Sequence, residues 1–247
     1  MTPRPPLRGL FVTGTDTGVG KTTVSIALLR LAARRGRKPI PFKPVETGCD
    51  PNATDAGALW RAARPPIPPS DVCSYALRLP AAPALAATAE GVRIDLDLLV
   101  ERAHALAARG DFLLVEGAGG LLVPYVDALT TVDLAVRLAL PLLVVARTAL
   151  GTVNHTALTL REAARNGLTV AGVILSQTMA GTAPHEPGNA ELIATLTGQD
   201  VLGTLPYLST DARTDPDLLA DALEAGLGRK GLDRLLGTRR PDSVETV

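Results

Sequence analysis

The stretch GTDTGVGKT at residues 14–22, followed at once by Thr23, decides how the rest of the chain is interpreted. The usual phosphate-binding loop has four residues between its first glycine and the closing Gly-Lys-Ser/Thr. Five residues stand between the first glycine and the Gly-Lys-Thr here, namely Thr15, Asp16, Thr17, Gly18 and Val19. The stretch is therefore either a phosphate-binding loop with one extra residue or a glycine-rich turn that resembles one.

The sequence on each side of this stretch favours the phosphate-binding loop. The apolar run LRGLFVTGT at residues 7–15 predicts a buried strand, and residues 21–36 predict a helix that ends at Gly36. Backbone N–H groups at the start of such a helix point at an anion, whereas a plain strand-to-helix turn needs no lysine followed by two hydroxyls. We expect a nucleotide to contact every residue of this loop: Gly14, Thr15, Asp16, Thr17, Gly18, Val19, Gly20, Lys21, Thr22 and Thr23.

The rest of the chain alternates between predicted strands and predicted helices. Further strands are predicted at residues 38–45, 111–120, 140–147, 170–177 and 201–207. Helices are predicted at residues 54–63, 95–110, 152–167 and 189–198. Strands that read as continuous apolar runs between helices are typical of an α/β fold with a doubly wound, mostly parallel sheet flanked by helices. The proline-rich residues 64–83 are expected to form an ordered surface excursion, and the tail at about residues 240–247 to fray.

Composition excludes several classes of protein. A chain of 247 residues, 46% hydrophobic and with no formal net charge, suits one α/β domain over residues 1–247 and gives no basic run for a nucleic acid. The longest apolar run, residues 134–146, contains Arg137 and Pro141, so no membrane span is expected. Cys49 and Cys73 match no metal-binding spacing, which favours a reduced, cytoplasmic location.

Three charged residues lie at predicted strand ends or helix starts, where open α/β sheets bind ligands. Glu116 ends a strand before a glycine run, and a carboxylate there favours Mg²⁺ beside phosphates over a carboxylate that supports the turn. Lys43 either meets the same phosphates or is an ordinary solvated lysine. Asp55 is either a second metal carboxylate or an acid that satisfies a helix dipole, and spacing alone does not separate these.

Five motifs in order along the chain resemble the signature of dethiobiotin synthetases. They are GTDTGVGKT at 14–22, KPVETG at 43–48, TDA at 54–56, VEGAGG at 115–120 and LGTVNH at 150–155. The match extends over nearly the whole chain, and this family has the phosphate loop with one extra residue. The resemblance implies a P-loop NTPase-like fold and an ATP-dependent ligase that forms C–N bonds in biotin biosynthesis.

The family reaction implies substrates and cofactors. One amine of 7,8-diaminononanoate captures CO₂ as a carbamate, and a carbamate oxygen attacks the γ-phosphorus of a nucleoside triphosphate, usually ATP. The second amine then closes the cyclic urea of dethiobiotin, and ADP and phosphate are released. Such phosphoryl transfer needs positioning and neutralisation of charge, including Mg²⁺, more than covalent help from the protein.

The resemblance also implies a role for individual residues. Lys21, Lys43 and Thr17 would be catalytic: Lys21 would hold the β- and γ-phosphates, Lys43 the transferred phosphoryl group and carbamate oxygens, and Thr17 the carbamate or γ-phosphate. Metal ligands would be Thr22, Asp55 and Glu116. Substrate contacts would be Thr17, Lys43, Thr47, Gly151, Thr152, Val153 and Asn154. Further nucleotide contacts would be Asp55, Glu116, Gly117, Ala118, Gly119, Ser176, Gln177, Pro206, Tyr207 and Leu208.

Two pairs of residues depart from the family pattern. Relatives often bind the purine with an Asn-Asp pair where this chain has Ser176 and Gln177, so we expect weaker selectivity for adenine. Ala82 and Ala84 stand where relatives often carry Ser and His, which weakens any substrate contact there.

Residues 151–154 have two interpretations. Proteins of this family form homodimers. In them the N-terminus of a helix in this segment contacts the carboxylate of the substrate that is bound in the partner subunit. The simpler alternative is that Thr152 or Asn154 caps the following helix.

Two other functions are alternatives to dethiobiotin synthesis. Partition and septum-positioning ATPases share this fold and act as nucleotide-switched interaction proteins, but they resemble KGGxGKT, and Asp16 stands at the position of their early lysine. A synthetase of the cobyrinate amidase type that lacks its glutaminase domain is the second alternative.

Overall fold

The computed structural model describes residues 5–50, 54–181 and 186–237. Within these ranges the strands are β1 Gly9–Gly14, β2 Pro39–Thr47, β3 Cys73–Leu77, β4 Phe112–Gly120, β5 Pro124–Val126, β6 Leu129–Thr130, β7 Leu142–Arg147, β8 Val170–Ser176 and β9 Val201–Leu205. The α-helices are α1 Lys21–Arg34, α2 Asp55–Ala63, α3 Pro83–Ala89, α4 Leu96–Ala107, α5 Thr131–Leu138, α6 Thr152–Arg165, α7 Glu186–Thr197 and α8 Pro216–Leu236.

Seven strands form one sheet in the order β3-β2-β4-β1-β7-β8-β9, and every neighbouring pair in it is parallel. Strands β5 and β6 form a separate antiparallel pair. The strand order reverses direction at β1, so the loop after β1 lies at the point where open sheets of this kind bind ligands. The predicted α/β fold with a doubly wound parallel sheet is confirmed.

A separate hydrophobic core covers each face of the sheet. Side chains of a strand alternate between faces, and in β1 Phe11 packs into one core while Leu10 and Val12 pack into the other. Helices α1 and α8 cover the face that receives Leu10, and α4 and α5 contribute to the opposite core. This double coverage explains why the strands read as continuous apolar runs.

Several elements were not predicted from the sequence. The proline-rich residues 64–83 include β3, which pairs with β2 at the edge of the sheet. Helix α8 was also missed, because glycines interrupt its apolar pattern and Gly228 has a φ of 62° within it. A Cβ atom at Gly226 would collide with the main chain of Thr204, so glycine is what allows α8 to pack closely on β9.

The boundaries of the remaining predicted elements are close to those observed. Strand β2 continues to Thr47, beyond the predicted residue 45, and β9 ends at Leu205, before the predicted residue 207. The tail predicted to fray, residues 240–247, lies outside the described residues. Among the described helices, none is long and apolar enough to cross a membrane.

Candidate active site

A cavity of about 440 Å³ opens at the carboxyl edge of the sheet, beside the loop that follows β1. Its lining includes these residues that the sequence singled out: Thr17, Gly18, Gly20, Lys21, Thr22, Thr23, Lys43, Thr47, Asp55, Ala118, Gly119, Ser176, Gln177, Pro206 and Leu208. It also includes residues that sequence reasoning missed: Val45, Glu46, Thr178, Leu205 and Arg213. The structure thus brings together loops that follow β1, β2, β4, β8 and β9.

The loop after β1 has the geometry that an anion needs. Gly20 precedes α1 with a φ of 96°, and a Cβ atom there would collide with Ser176 Oγ, so glycine is required. Helix α1 has no side-chain cap and no acidic residue in its first turn. Its first N–H groups are therefore available to a ligand, as at other phosphate sites. Val19 is fully buried in the core and fixes the loop from behind.

Lys21 is a buried cation beside this loop. The residue is 6% exposed, and its Nζ donates a hydrogen bond to the main-chain oxygen of Asp16 over 3.0 Å. Burial lowers the pKa of Lys21 to about 8, although the charge of Glu116 acts in the opposite direction. The positive charge of Lys21 is therefore not fully balanced by the negative charges around it. An anionic ligand in the cavity would balance it.

Lys43 lies inside β2 and points toward two carboxylates. Its Nζ is 2.5 Å from Glu116 Oε1 and 3.1 Å from Asp55 Oδ2. Burial alone would lower the pKa of Lys43, but the two carboxylates outweigh burial and raise it above the usual range. Lys43 consequently remains protonated at any ordinary pH, and the interpretation of an ordinary solvated lysine is wrong because the residue is 4% exposed.

Among the expected metal ligands Thr22, Asp55 and Glu116, the two carboxylates contact Lys43 Nζ and the hydroxyl contacts Glu116. Thr22 Oγ1 donates a hydrogen bond to Glu116 Oε1 over 2.8 Å. The other oxygen, Glu116 Oε2, is buried and has no hydrogen-bond partner among the residues that the structure describes. Mg²⁺ is usually held by one or two carboxylates together with phosphate oxygens and water, so this donor set fits a nucleotide-bound Mg²⁺.

No group of three or more His, Cys, Asp or Glu side chains suited to a metal occurs within residues 5–50, 54–181 and 186–237. The proposed ligand set consists of two carboxylates, Asp55 and Glu116, and one hydroxyl, Thr22. A divalent ion here would therefore need the phosphates of a nucleotide to complete its coordination.

The far end of the cavity, beyond β8 and β9, is held mainly by bonds to the main chain. Gln177 donates to the main-chain oxygen of Gly181 and accepts from Tyr207 N over 3.3 Å. Arg213 donates to the main-chain oxygen of Thr178 over 3.2 Å, and its guanidinium lies 4.9 Å from the centre of the Tyr207 ring. The side-chain amide of Gln177 thus already has structural partners.

Some residues predicted for the site do not line the cavity: Gly14, Thr15, Asp16, Val19, Glu116, Gly117 and Tyr207. Glu116 is fully buried behind Lys43, which it contacts directly. Asp16 lies on the outer side of the loop, where its carboxylate pairs with Arg147 over 2.7 Å. Asp16 also accepts a hydrogen bond from the main-chain N–H of Thr17, so it helps to shape the loop.

Residues 151–154 also lie away from this cavity. Gly151 is the N-cap of α6 with a φ of 91°, and no side chain caps the helix. The alternative in which Thr152 or Asn154 caps α6 is therefore wrong: Thr152 is 1% exposed, and its Oγ1 has no hydrogen-bond partner within the described part of the chain. The first N–H groups of α6 lack side-chain partners, and Leu150 beside them is 84% exposed.

Comparison with solved structures reports on the fold. A chain of the MinC:MinD cell division protein complex of Aquifex aeolicus matches with a TM-score of 0.58, and the match covers 95% of this chain and 98% of that chain. Sequence identity in this match is 14%. Such a likeness supports the doubly wound α/β fold and no more specific statement.

Comparison of sequences gives the family. A family model described as an AAA domain matches residues 8–213. The ATP-dependent dethiobiotin synthetase BioD of Anaeromyxobacter dehalogenans (strain 2CP-1) is 47% identical over 227 residues, which are 91% of this chain and 99% of the relative. The enzyme with the same name from Anoxybacillus flavithermus is 37% identical over 216 residues, 82% of this chain and 93% of the relative. This chain therefore belongs to the family of ATP-dependent dethiobiotin synthetases.

Proposed function

We propose that this chain carboxylates 7,8-diaminononanoate with CO₂ and ATP and closes the ureido ring to give dethiobiotin, ADP and phosphate. Family membership makes it an ATP-dependent ligase, and the proposal concerns the substrates and the individual steps. The observation that carries it is the meeting of Lys21, Lys43 and Asp55 on one cavity beside the loop after β1, with Glu116 directly behind Lys43.

ATP would lie with its phosphates against the loop at residues 14–23. The open N–H groups of α1 suit the β-phosphate, and Lys21 would hold the β- and γ-phosphates. The adenine would lie at the end formed by Ser176, Gln177 and the residues that follow β9, which are Pro206, Tyr207 and Leu208. Gly117, Ala118 and Gly119 would pass beside the phosphates, two of them on the cavity lining.

Mg²⁺ would be held by Thr22, Asp55 and Glu116. Glu116 Oε2 is buried and lacks a hydrogen-bond partner in residues 5–50, 54–181 and 186–237, which supports this assignment because a buried carboxylate oxygen needs a partner. When bound, the ion would neutralise charge on the phosphate oxygens.

Lys43 would act as a charge and not as a base. Its raised pKa keeps the ammonium protonated, so it cannot remove a proton from the substrate amine. The ammonium would stabilise negative charge on the carbamate and on the transferred phosphoryl group. Thr17 and Thr47, both on the cavity lining, would bond the carbamate and the substrate amines.

The reaction would then proceed in three steps. One amine of the substrate attacks CO₂ and forms a carbamate after loss of a proton. A carbamate oxygen attacks the γ-phosphorus and ADP leaves, which gives a mixed carbamic–phosphoric anhydride. The second amine attacks the carbonyl carbon, phosphate leaves and the ring closes. The protein contributes positioning and electrostatic stabilisation at each step.

The substrate carboxylate would bind to the partner subunit of a homodimer. The N-terminus of α6, formed by Gly151, Thr152, Val153 and Asn154, lies away from the cavity of its own chain. Thr152 N donates to the main-chain oxygen of Ala149 over 3.2 Å, and the N–H groups of Val153 and Asn154 would be the ones that bind the carboxylate. Two copies related by a twofold axis would give two composite sites. Cys49 and Cys73 are free, which supports the proposed cytoplasmic location.

No observation favours a partition or septum-positioning ATPase. The likeness to the MinC:MinD complex concerns the fold, and Asp16 stands where those ATPases have their early lysine. The alternative function predicts nucleotide hydrolysis without urea formation.

The decisive experiment follows labelled bicarbonate into an acid-stable product in the presence of 7,8-diaminononanoate and ATP, CTP or GTP. We expect label in dethiobiotin that depends on the diamine and on a triphosphate. A mono-amine analogue is the control: it can be carboxylated but cannot close the ring. Triphosphate hydrolysis that is indifferent to the diamine, with no stable label, would overturn the proposal.

The shared site is tested by mixing Lys21→Ala chains with Asn154→Asp chains, the second of which adds charge against the substrate carboxylate. Each heterodimer would have one site with both lesions and one with neither. Random reassociation should therefore restore about one quarter of wild-type activity. Activity that stays at the level of the two single variants would count against the composite site.

A further inference from the structure

We propose that Glu46 is a positioning residue for the metal site: its carboxylate holds the first turn of α2 and thereby fixes the Asp55 carboxylate beside Lys43. The inference rests on the proposed function, in which Asp55 is a ligand of Mg²⁺. It assigns to Glu46 a role that the sequence motifs did not.

Glu46 lies on β2 between the residues proposed to contact the substrate. Lys43 precedes it by three positions, and Thr47 follows it directly. The residue lines the cavity, yet it is 6% exposed and its carboxylate turns toward the start of α2. A carboxylate buried to this degree is retained only with strong partners.

Those partners are the first two N–H groups of α2. Glu46 Oε1 accepts from Asp55 N over 2.6 Å, and Glu46 Oε2 accepts from Ala56 N over 3.0 Å. Each carboxylate oxygen thus serves one donor, and the negative charge lies at the positive end of the helix dipole.

The remaining N–H groups at the start of α2 are bonded to Thr54. Gly57 N donates to Thr54 Oγ1 over 3.0 Å, and Ala58 N donates to the main-chain oxygen of Thr54, which begins the helical ladder. Three N–H groups of α2 therefore precede that ladder, and all three have side-chain acceptors. Two of the three depend on the single carboxylate of Glu46.

Strand β2 consequently contacts Asp55 twice. Glu46 fixes the main chain of Asp55 through its N–H group, and Lys43 Nζ contacts Oδ2 of its side chain over 3.1 Å. With the main chain held, the position of the carboxylate depends on two side-chain torsions alone. Partners that orient a metal ligand typically change metal affinity 10–100-fold when they are altered.

A plain helix cap would stabilise α2 without affecting the metal, and the chain offers a matched control for that case. Asp95 accepts hydrogen bonds from Asp97 N and Leu98 N in the first turn of α4, and it is absent from the cavity lining. Asp95→Ala removes the acceptor of both N–H groups of α4, and Glu46→Gln replaces one of the two accepting oxygens of Glu46 by an amide nitrogen. Both variants should lower the melting temperature, but only Glu46→Gln should affect the metal.

The test titrates the ADP complex of each variant with Mn²⁺ and follows the free ion by electron paramagnetic resonance. We expect the dissociation constant of Mn²⁺ to rise about 10-fold or more in Glu46→Gln and to stay at the wild-type value in Asp95→Ala. Amide hydrogen exchange of Asp55 and Ala56 in the ligand-free protein should become faster in Glu46→Gln. This second measurement needs neither metal nor turnover.

Asp55→Asn separates the metal role of Asp55 from the positioning role of Glu46. If Asp55→Asn binds Mn²⁺ as tightly as wild type, the proposed metal role of Asp55 is wrong and the positioning role falls with it. If Asp55→Asn weakens Mn²⁺ binding and Glu46→Gln does not, the proposed function stands and the role of Glu46 is overturned.

Glu46→Asp provides the same test if Glu46→Gln does not fold. Its shorter side chain keeps the charge but cannot reach both N–H groups, so Mn²⁺ affinity should fall by an intermediate amount and exchange should be faster at one or both amides. Unchanged affinity and unchanged exchange in Glu46→Asp would overturn the inference equally.

Discussion

Two buried lysines face the same cavity from two regions of the fold, and their surroundings differ. Lys21 belongs to the region of the loop after β1, where Nζ bonds to the main-chain oxygen of Asp16. Lys43 belongs to the region of β2 and β4, where Nζ contacts the carboxylates of Glu116 and Asp55. Burial lowers the pKa of Lys21 to about 8, whereas the carboxylates raise the pKa of Lys43 despite its burial.

The comparison shows that a buried lysine can either be ready to bind an anion or be already paired within the fold. The loop region carries a cation without an adequate counter-charge, which is a site prepared for an anion. The β2 region already pairs its cation, so Lys43 contributes to the integrity of the fold as well as to the proposed chemistry. We therefore expect that the fold tolerates the loss of Lys21 and is destabilised by the loss of Lys43.

The largest expected difference is in stability. Lys43→Met leaves Glu116, which is 0% exposed, without its main counter-charge, so the free energy of unfolding should fall by about 3–5 kcal/mol. Lys21→Met removes an uncompensated cation and should leave stability equal or higher. Urea unfolding of the ligand-free proteins measures both. The double variant Lys43→Met with Glu116→Gln should recover most of the lost free energy of unfolding. If the two single lysine variants change stability equally, the proposed difference between the two lysines is wrong.

Activity should respond alike in the two regions. Lys21→Met and Lys43→Met should each lower kcat/KM by at least ~10²-fold, because each removes a charged contact to the phosphoryl group. Rates of ureido-ring formation are measured at a temperature where Lys43→Met is folded, as judged by circular dichroism. The stability-restored double variant should remain inactive, and near-normal turnover in it would contradict the catalytic role of Lys43.

The pH dependence of nucleotide binding should reflect Lys21. With a pKa of about 8 in the free protein, Lys21 loses its proton above that pH, and a bound phosphate draws the proton back. Affinity for ADP should therefore fall by up to about tenfold per pH unit above pH 8, with uptake of one proton on binding. Calorimetry in buffers of different ionisation enthalpy measures this uptake, and Lys21→Met is the control that should show none.

The same shift has a consequence for stability, with its sign fixed by linkage. The pKa of Lys21 is about 8 in the folded protein, whereas the ordinary pKa of an exposed lysine is 10.5. Between these values the unfolded chain binds more protons, so the contribution of Lys21 to stability rises with pH in that window. Lys43, whose pKa is raised, contributes no change there. Stability of Lys21→Met relative to wild type should therefore be greatest at about pH 7 and smallest near pH 10.5.

The smallest effect is expected at the base end of the cavity. Gln177 has its side-chain amide engaged by the main chain of Gly181 and Tyr207, so we expect it to select a base weakly. CTP and GTP should support turnover within about tenfold of ATP, since neither Ser176 nor Gln177 brings a charged carboxylate to the purine edge. The Ser176→Asn, Gln177→Asp double variant should widen that gap. An unchanged order of preference would indicate that main-chain groups select the base.

The charged end of the site was more predictable than the base end. Lys21, Thr22 and Glu116 are residue types that phosphate and metal chemistry require, and they occur at strand or helix ends where such sites form. Arg213 and Thr178 follow no motif, because their positions depend on how the turns after β8 and β9 pack. Whether residues 1–247 form one domain stays a prediction.

The sequence by itself determined the alternation of strands and helices, the loop with its extra residue, and the family, because these depend on local periodicity and on residue types at fixed spacings. Only the tertiary structure decided that Lys43 pairs with Glu116, 73 positions away, and that Glu46 caps the helix carrying Asp55. Sheet order sets these contacts: β2 lies beside β4, so side chains far apart in the chain share one buried edge. The electrostatic difference between the two lysines follows from that packing.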